Sequence, residues 1–102
     1  MEVTLEVLPW LSELADGGIA RKLILREVMP EEASLRGALT WIVERYPRLG
    51  RMVFDAESGR LTGHAEVAVN GVLYDQAGGL DAPLNPGDTI TFLPGVAGGS
   101  DE

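Results

Sequence analysis

A single stretch of helical spacing stands between two groups of alternating segments, and that order constrains the fold of this chain more than any other feature. The opening "EVTLEVL" (Glu2 to Leu8) sets Val3, Leu5 and Val7 on one side and Glu2, Thr4 and Glu6 on the other. A period of two is that of a half-buried strand. Pro9 ends it, and "SELADGG" reads as a turn or a short helix. "ARKLILREV" (Ala20 to Val28) reads as a second strand with Leu23 and Leu25 inward, close enough in sequence to the first for antiparallel pairing. The period then changes. In "SLRGALTWIVERYP", Leu35, Leu39, Ile42 and Tyr46 recur at i, i+4, i+7 and i+11, and Ala38 and Val43 widen the stripe. Ser34 is the expected N-cap. Pro30 and Pro47 bracket the helix, and Gly37 inside it costs about 1 kcal/mol against alanine.

The second alternating group is less regular at its start. "RMVFDAESGRLTG" is compatible with a small hairpin turning at Ser58-Gly59 or with an irregular loop. In "HAEVAVNGVLY", Asn70-Gly71 is a favoured two-residue turn between two strands. A loop with a turn at Asn85-Pro86-Gly87-Asp88 follows, and "TITFL" is the last strand, with Ile90 and Phe92 inward. The expectation is an α+β roll, a mixed sheet of about four to five strands packed on one main helix. Its first and last strands can lie side by side and parallel in the centre.

The ending "LPGVAGGSDE" fits none of this. Gly95, Gly98 and Gly99 would each lose much backbone freedom on being fixed, which argues against a packed element. The expected division is a folded domain over residues 1–94 and a flexible tail over 95–102. Chain ends commonly fray; the other reading is that the tail is the working part.

Composition narrows the functions open to such a chain. Its 102 residues make one domain with a modest core. It has no cysteine, which removes disulfides, thiolate metal sites and a cysteine nucleophile and is consistent with a cytoplasmic location. No apolar run approaches the roughly 18 residues of a membrane helix, and the acidic, alternating start is unlike a signal peptide. A net charge of −8 argues against a nucleic-acid partner and favours basic partner surfaces. Of the eight basic residues only Lys22 is a lysine.

Other candidate residues have ordinary readings. His64, the single histidine, reads as a strand-end side chain. Glu31 and Glu32 suit a helix start, Asp55 and Glu57 a solvated loop, and Trp10 and Trp41 the core or its edge. "AGGLDAP" lacks the lysine and spacing of a phosphate loop, and no metal-ligand cluster is visible.

The stretch Val69 to Gly99 carries a more specific signal. Val69-Asn70-Gly71, the Gly87-Asp88 turn, the strand Thr89 to Leu93 and the final Gly98-Gly99 occur in the order found in the MoaD/ThiS family, which this chain resembles. These are β-grasp, ubiquitin-like sulfur carriers. "FLPGVAGG" resembles molybdopterin synthase small subunits and carriers serving cysteine synthesis, and "GGLDAPL" leans toward the latter. One departure is the extension Ser100-Asp101-Glu102, since family members usually end at the second glycine.

The resemblance implies a carrier rather than an enzyme, although such a chain can be the small subunit of a molybdopterin-synthase-like enzyme. An E1-like partner uses ATP to adenylate the Gly99 carboxylate, sulfur displaces AMP, and the thiocarboxylate serves a sulfur-accepting enzyme or large synthase subunit. No cofactor or metal would be bound. Gly98 and Gly99 have no Cβ, so a narrow active site can close around bare backbone. Phe92, Leu93, Pro94 and Val96 are the expected docking residues. Pro94 to Gly99 can span about 20 Å when extended. With the extension attached, Gly99 carries an amide to Ser100, so a protease must cut that bond first; the chain itself has no nucleophile–base pair for the task. Two alternatives remain: a ubiquitin-like modifier joined to lysines through Gly99, and a β-grasp interaction module whose tail is never processed.

Overall fold

The computed structural model describes residues 1–11 and 22–94. The reading of "SELADGG", the start of the second strand and the whole of the tail from Gly95 lie outside the described residues. β1 (Glu2–Val7) and β2 (Leu23–Val28) pair antiparallel, Glu2 opposite Val28 and Val7 opposite Leu23. Then come helix α1 (Leu35–Arg45), helix α2 (Pro47–Val53), β3 (Phe54–Asp55) and β4 (Arg60–Leu61). β5 (Ala65–Val69), β6 (Val72–Leu73) and β7 (Thr89–Pro94) complete the chain. The main sheet has five strands in the order β2-β1-β7-β5-β6, and β3 and β4 form a separate two-stranded sheet.

β1 and β7 are parallel neighbours at the centre, with Thr4 opposite Thr89 and Val7 opposite Phe92. The mixed, roll-like sheet expected from the element order is therefore present, and it is the β-grasp, ubiquitin-like fold. Alternation explains its two faces. Val3, Leu5, Val7, Val67, Ile90 and Phe92 are all 0% exposed and meet Leu35, Ala38, Leu39 and Ile42 of α1. Ser34 caps α1 as expected, its hydroxyl accepting from the Gly37 amide at 3.0 Å.

Two readings are extended by the structure and two are corrected. Pro47 does not simply stop the helix: it occupies the first turn of α2, where its missing N–H costs nothing. The second helix brings Leu49 and Val53 into the core, and Gly50 makes its close approach possible, since a Cβ there would lie 2.5 Å from the Val43 Cα. Between the hairpin and the loop, the segment after α2 takes the hairpin, with Phe54 opposite Leu61. Glu31 and Glu32 do not sit in the first turn of α1. They precede the N-cap, Glu31 pairing with the Met1 ammonium at 3.0 Å and Glu32 taking a positive φ of 64°. Trp41 packs against the core edge, but Trp10 is 39% exposed.

Candidate functional site

The site is the strand that leads into the tail. β7 alternates strictly: Ile90 and Phe92 enter the core, while Thr89, Thr91 and Leu93 face the side of the sheet away from α1. It is hydrogen-bonded on both edges, to β1 and to β5, and the β5 register carries it to Pro94, opposite Ala65. The chain therefore enters its last segment from an inner strand of the sheet, paired on both edges.

The start of β7 is fastened by the residues that carried the family resemblance. Asn70 (φ 53°) and Gly71 (φ 83°) both take the left-handed conformation a tight hairpin turn requires. This orients the Asn70 side chain toward the Asn85–Asp88 turn. Its amide donates to Asp88 Oδ1 at 2.9 Å, and its carbonyl accepts from the Thr89 amide at 3.0 Å. Asp88 Oδ2 accepts from the Asn85 amide at 2.8 Å, and the Asp88 carbonyl accepts from the Thr4 amide at 2.9 Å. Asn70 and Asp88, 18 positions apart in the chain, thus make the Asn-Gly and Gly-Asp motifs one latch that ties β5, β7 and β1 together.

At the other end of β7 the Trp10 indole N–H donates to the Phe92 carbonyl at 3.4 Å. Trp10 lies three residues past β1, at the end of the sheet where β7 finishes. Sequence reading missed this contact because it joins residues 82 positions apart.

Of the expected docking residues, Leu93 is half-buried and Pro94 is exposed. Phe92 is corrected: it is 0% exposed and belongs to the core, so its side chain does not face a partner. The period of two that placed Ile90 inward places Phe92 there as well. Val96, Gly98, Gly99 and Ser100 lie outside the described residues.

The sheet face bearing Leu93 is mixed. Ile24 and Val28 on β2 are 51% and 73% exposed, and Leu73 on β6 is 39% exposed. Near its centre, Glu6 Oε2 pairs with Lys22 Nζ at 2.7 Å and Glu6 Oε1 accepts from the Thr91 hydroxyl at 2.8 Å. Lys22, then Thr91, hold the Glu6 carboxyl below its ordinary value against the opposing effect of burial.

Among the described residues no other group of side chains competes as a chemical centre. A crevice of about 480 Å³ lies among α1, α2 and the β3–β4 hairpin, lined by residues such as Val43, Arg51, Phe54 and Thr62, none of them from β7. Among the described residues no cluster of His, Cys, Asp or Glu could hold a metal ion, and no helix is long and apolar enough to cross a membrane. His64 is exposed just before β5, and Asp55 is exposed with Oδ1 accepting from the Glu57 amide at 3.0 Å.

Comparison with known proteins agrees with this geometry. The ThiS family profile matches residues 18–99. No curated protein sequence matches the chain. Among solved structures, the small archaeal modifier protein 1 of Haloferax volcanii is similar at 25% identity and a TM-score of 0.71, covering 95% of this chain and 98% of its own. CysO, in the Amycolatopsis orientalis BexX/CysO complex, is similar at 26% identity and a TM-score of 0.66, with 92% and 96% covered. A putative molybdopterin converting factor subunit 1 from Pyrococcus furiosus shares the fold at 22% identity and a TM-score of 0.68, with 94% and 99% covered.

Proposed function

Because the chain belongs to the ThiS family of ubiquitin-like carrier and modifier proteins, we propose that it is a sulfur carrier whose working group is the carboxylate of Gly99. The observation that carries this reading is where the family match stops. It ends at Gly99, the second glycine of the pair, and leaves out Ser100, Asp101 and Glu102. The central position of β7 supports it mechanically, since a strand paired on both edges fixes the base of the tail while the reacting end travels into a partner.

The steps follow from carboxylate chemistry. A protease hydrolyses the Gly99–Ser100 amide and leaves a carboxylate. An E1-like partner transfers AMP from ATP to it, because a free carboxylate is a poor electrophile. A sulfur nucleophile attacks the acyl-adenylate, AMP leaves, and a thiocarboxylate remains for a sulfur-accepting enzyme or large synthase subunit. Gly98 and Gly99 let the partner close on bare backbone, and Leu93, Pro94 and Val96 meet its surface. The chain supplies the acyl group and the docking face, and the ATP belongs to the partner.

The test compares the 102-residue chain with a chain ending at Gly99, using a cognate activating enzyme, ATP and a sulfur donor. AMP release and a mass gain of one sulfur-for-oxygen exchange are expected from the trimmed chain alone. Equal activity of both would overturn the precursor step, and no activity from the trimmed chain would overturn the carrier reading. The similarity to an archaeal modifier protein favours a second reading, conjugation of Gly99 to lysines of other proteins. Mass spectrometry of the chain from its native cells separates the two, as a thiocarboxylate or as isopeptide conjugates.

A further inference from the structure

An activated C-terminus is an acylating agent, and the only lysine in the sequence immediately precedes β2 of the sheet that launches it. The register places that lysine near the end of β7, from which the tail continues. Leu23 is opposite Val7 and Val7 is opposite Phe92, so Lys22, one residue before Leu23, lies at the end of the sheet from which the tail departs. Only β1 separates β2 from β7. With strands about 4.8 Å apart, the backbones of Lys22 and Leu93 are separated by about 10 Å. Pro94 to Gly99 can reach about 20 Å. The Gly99 carbonyl can therefore meet Lys22 of its own chain.

The side chain is held away from that encounter. Lys22 Nζ is drawn back along the sheet to Glu6 Oε2 at 2.7 Å, and Thr91 of β7 fixes the other carboxylate oxygen at 2.8 Å. The lysine is still 55% exposed, against 24% for Glu6, so the restraint is an exposed ion pair that must open before the nitrogen can attack. The other primary amine is placed differently. The Met1 ammonium donates to the Met29 carbonyl at 2.6 Å and pairs with Glu31 at 3.0 Å. It sits at the far end of β1, where Glu2 is opposite Val28.

We propose that Lys22 is an internal acceptor for the activated tail, and that the Glu6–Thr91 pair restrains it. In the reaction the Lys22 amine attacks the Gly99 acyl carbon. An N–C bond forms, the bond from that carbon to its leaving group breaks, the leaving group departs with the electron pair, and the ammonium proton passes to solvent. The product is a looped monomer closed by a Gly99–Lys22 isopeptide bond, a species that can no longer accept sulfur. A single lysine, tethered by its neighbours, keeps this competing reaction slow.

The proposal rests on Gly99 being the activated end, so its test supplies the activation chemically. A chain ending at Gly99 is prepared as its Gly99 thioester, without any activating enzyme. Among the described residues no core residue lies beyond Phe92, so the shortened chain keeps every core residue described. The wild-type thioester is expected to yield a monomeric product that has lost the thiol and in which tandem mass spectrometry finds Gly99 joined to Lys22. Lys22→Arg should give hydrolysis only. Glu6→Gln should close about two- to fivefold faster, the range an exposed ion pair supports, and Thr91→Val should act in the same direction with a smaller effect. Hydrolysis of wild type at the Lys22→Arg rate, joining to the Met1 amine, or dimers without looped monomer would each overturn the proposal. So would a Glu6→Gln thioester that closes no faster than wild type. Failure of the carrier reading is recognised separately, by an unmodified trimmed chain in the enzymatic assay.

Discussion

β2 and β7 are both six-residue strands with strict alternation, yet they end in opposite situations. "LILREV" of β2 is as apolar as "TITFLP" of β7. In β7, Ile90 and Phe92 are 0% exposed; in β2, the inward Leu23 and Leu25 are only half-buried, and Ile24 and Val28 stand 51% and 73% exposed. The difference is position. β7 has a strand on either side and α1 across its inner face, while β2 has β1 on one edge alone. Hydropathy set the orientation of each side chain, and the neighbours set how deeply it is buried. β7 is thereby made a rigid base for the tail, and β2 is left as an edge that can change at little cost.

The sharpest way to break that contrast is to truncate one apolar side chain in each strand to alanine. Phe92→Ala is expected to lower unfolding free energy by about 3–5 kcal/mol, since it opens a cavity in the centre of the core. Val28→Ala should change it by no more than about 0.5 kcal/mol. Urea denaturation of the two variants beside wild type measures both. A small loss for Phe92→Ala accompanied by weaker partner binding would return that residue to the docking surface.

A smaller effect tests whether the latch fixes β7. Asp88→Ala removes the acceptor for both the Asn70 amide and the Asn85 amide, and is expected to cost about 1–2 kcal/mol. Asn70→Ala should cost a similar amount, and the double variant less than the sum, because the pair shares one hydrogen bond. Additive losses in that cycle would show that the two residues act independently.

On the outer face the contrast concerns binding. Leu93→Ala should weaken association with the activating enzyme by about 1 kcal/mol, roughly fivefold, while sparing the chemical step once bound. Ile24→Ala, although Ile24 is more exposed, should change it less, because β2 lies two strands away from the base of the tail. Isothermal titration of both variants decides whether the docking surface centres on β7 or extends across the whole face.

The smallest effect is in acid. The Glu6 carboxyl titrates below its ordinary value of 4.5, lowered by Lys22 and then by Thr91. A folded-state pKa below the unfolded one means that the ionised group adds stability above the unfolded value, and that this is lost as pH falls through the folded value. The stability difference between wild type and Glu6→Gln should therefore be constant near neutral pH and narrow as pH drops below 4.5. A difference unchanged down to pH values well below that range would mean that the Glu6 pair does not link β1 to β2 and β7.

What could be read from the residues in advance was local. β1, α1 and the β5–β6 hairpin each declare themselves within about a dozen positions, because a period of two or 3.6 and an Asn-Gly turn are properties of neighbouring residues. The inward set Val3, Leu5, Leu39, Ile42 and Ile90 follows from those periods, and so does Phe92, whose reading as a docking residue went against its own alternation. α2 was hidden because Pro47 is equally at home ending one helix and beginning another, and "PRLGRMV" is too short to show a helical period. Only the tertiary structure joined Asn70 to Asp88, Trp10 to the Phe92 carbonyl, and Lys22 through Glu6 to Thr91. Each of these contacts is made between strands or turns far apart in the chain, and no local preference encodes it. Side-chain direction is fixed within a strand by the backbone's two-residue repeat, but which side chains meet depends on strand order and register, and those are decided when the whole sheet closes over α1.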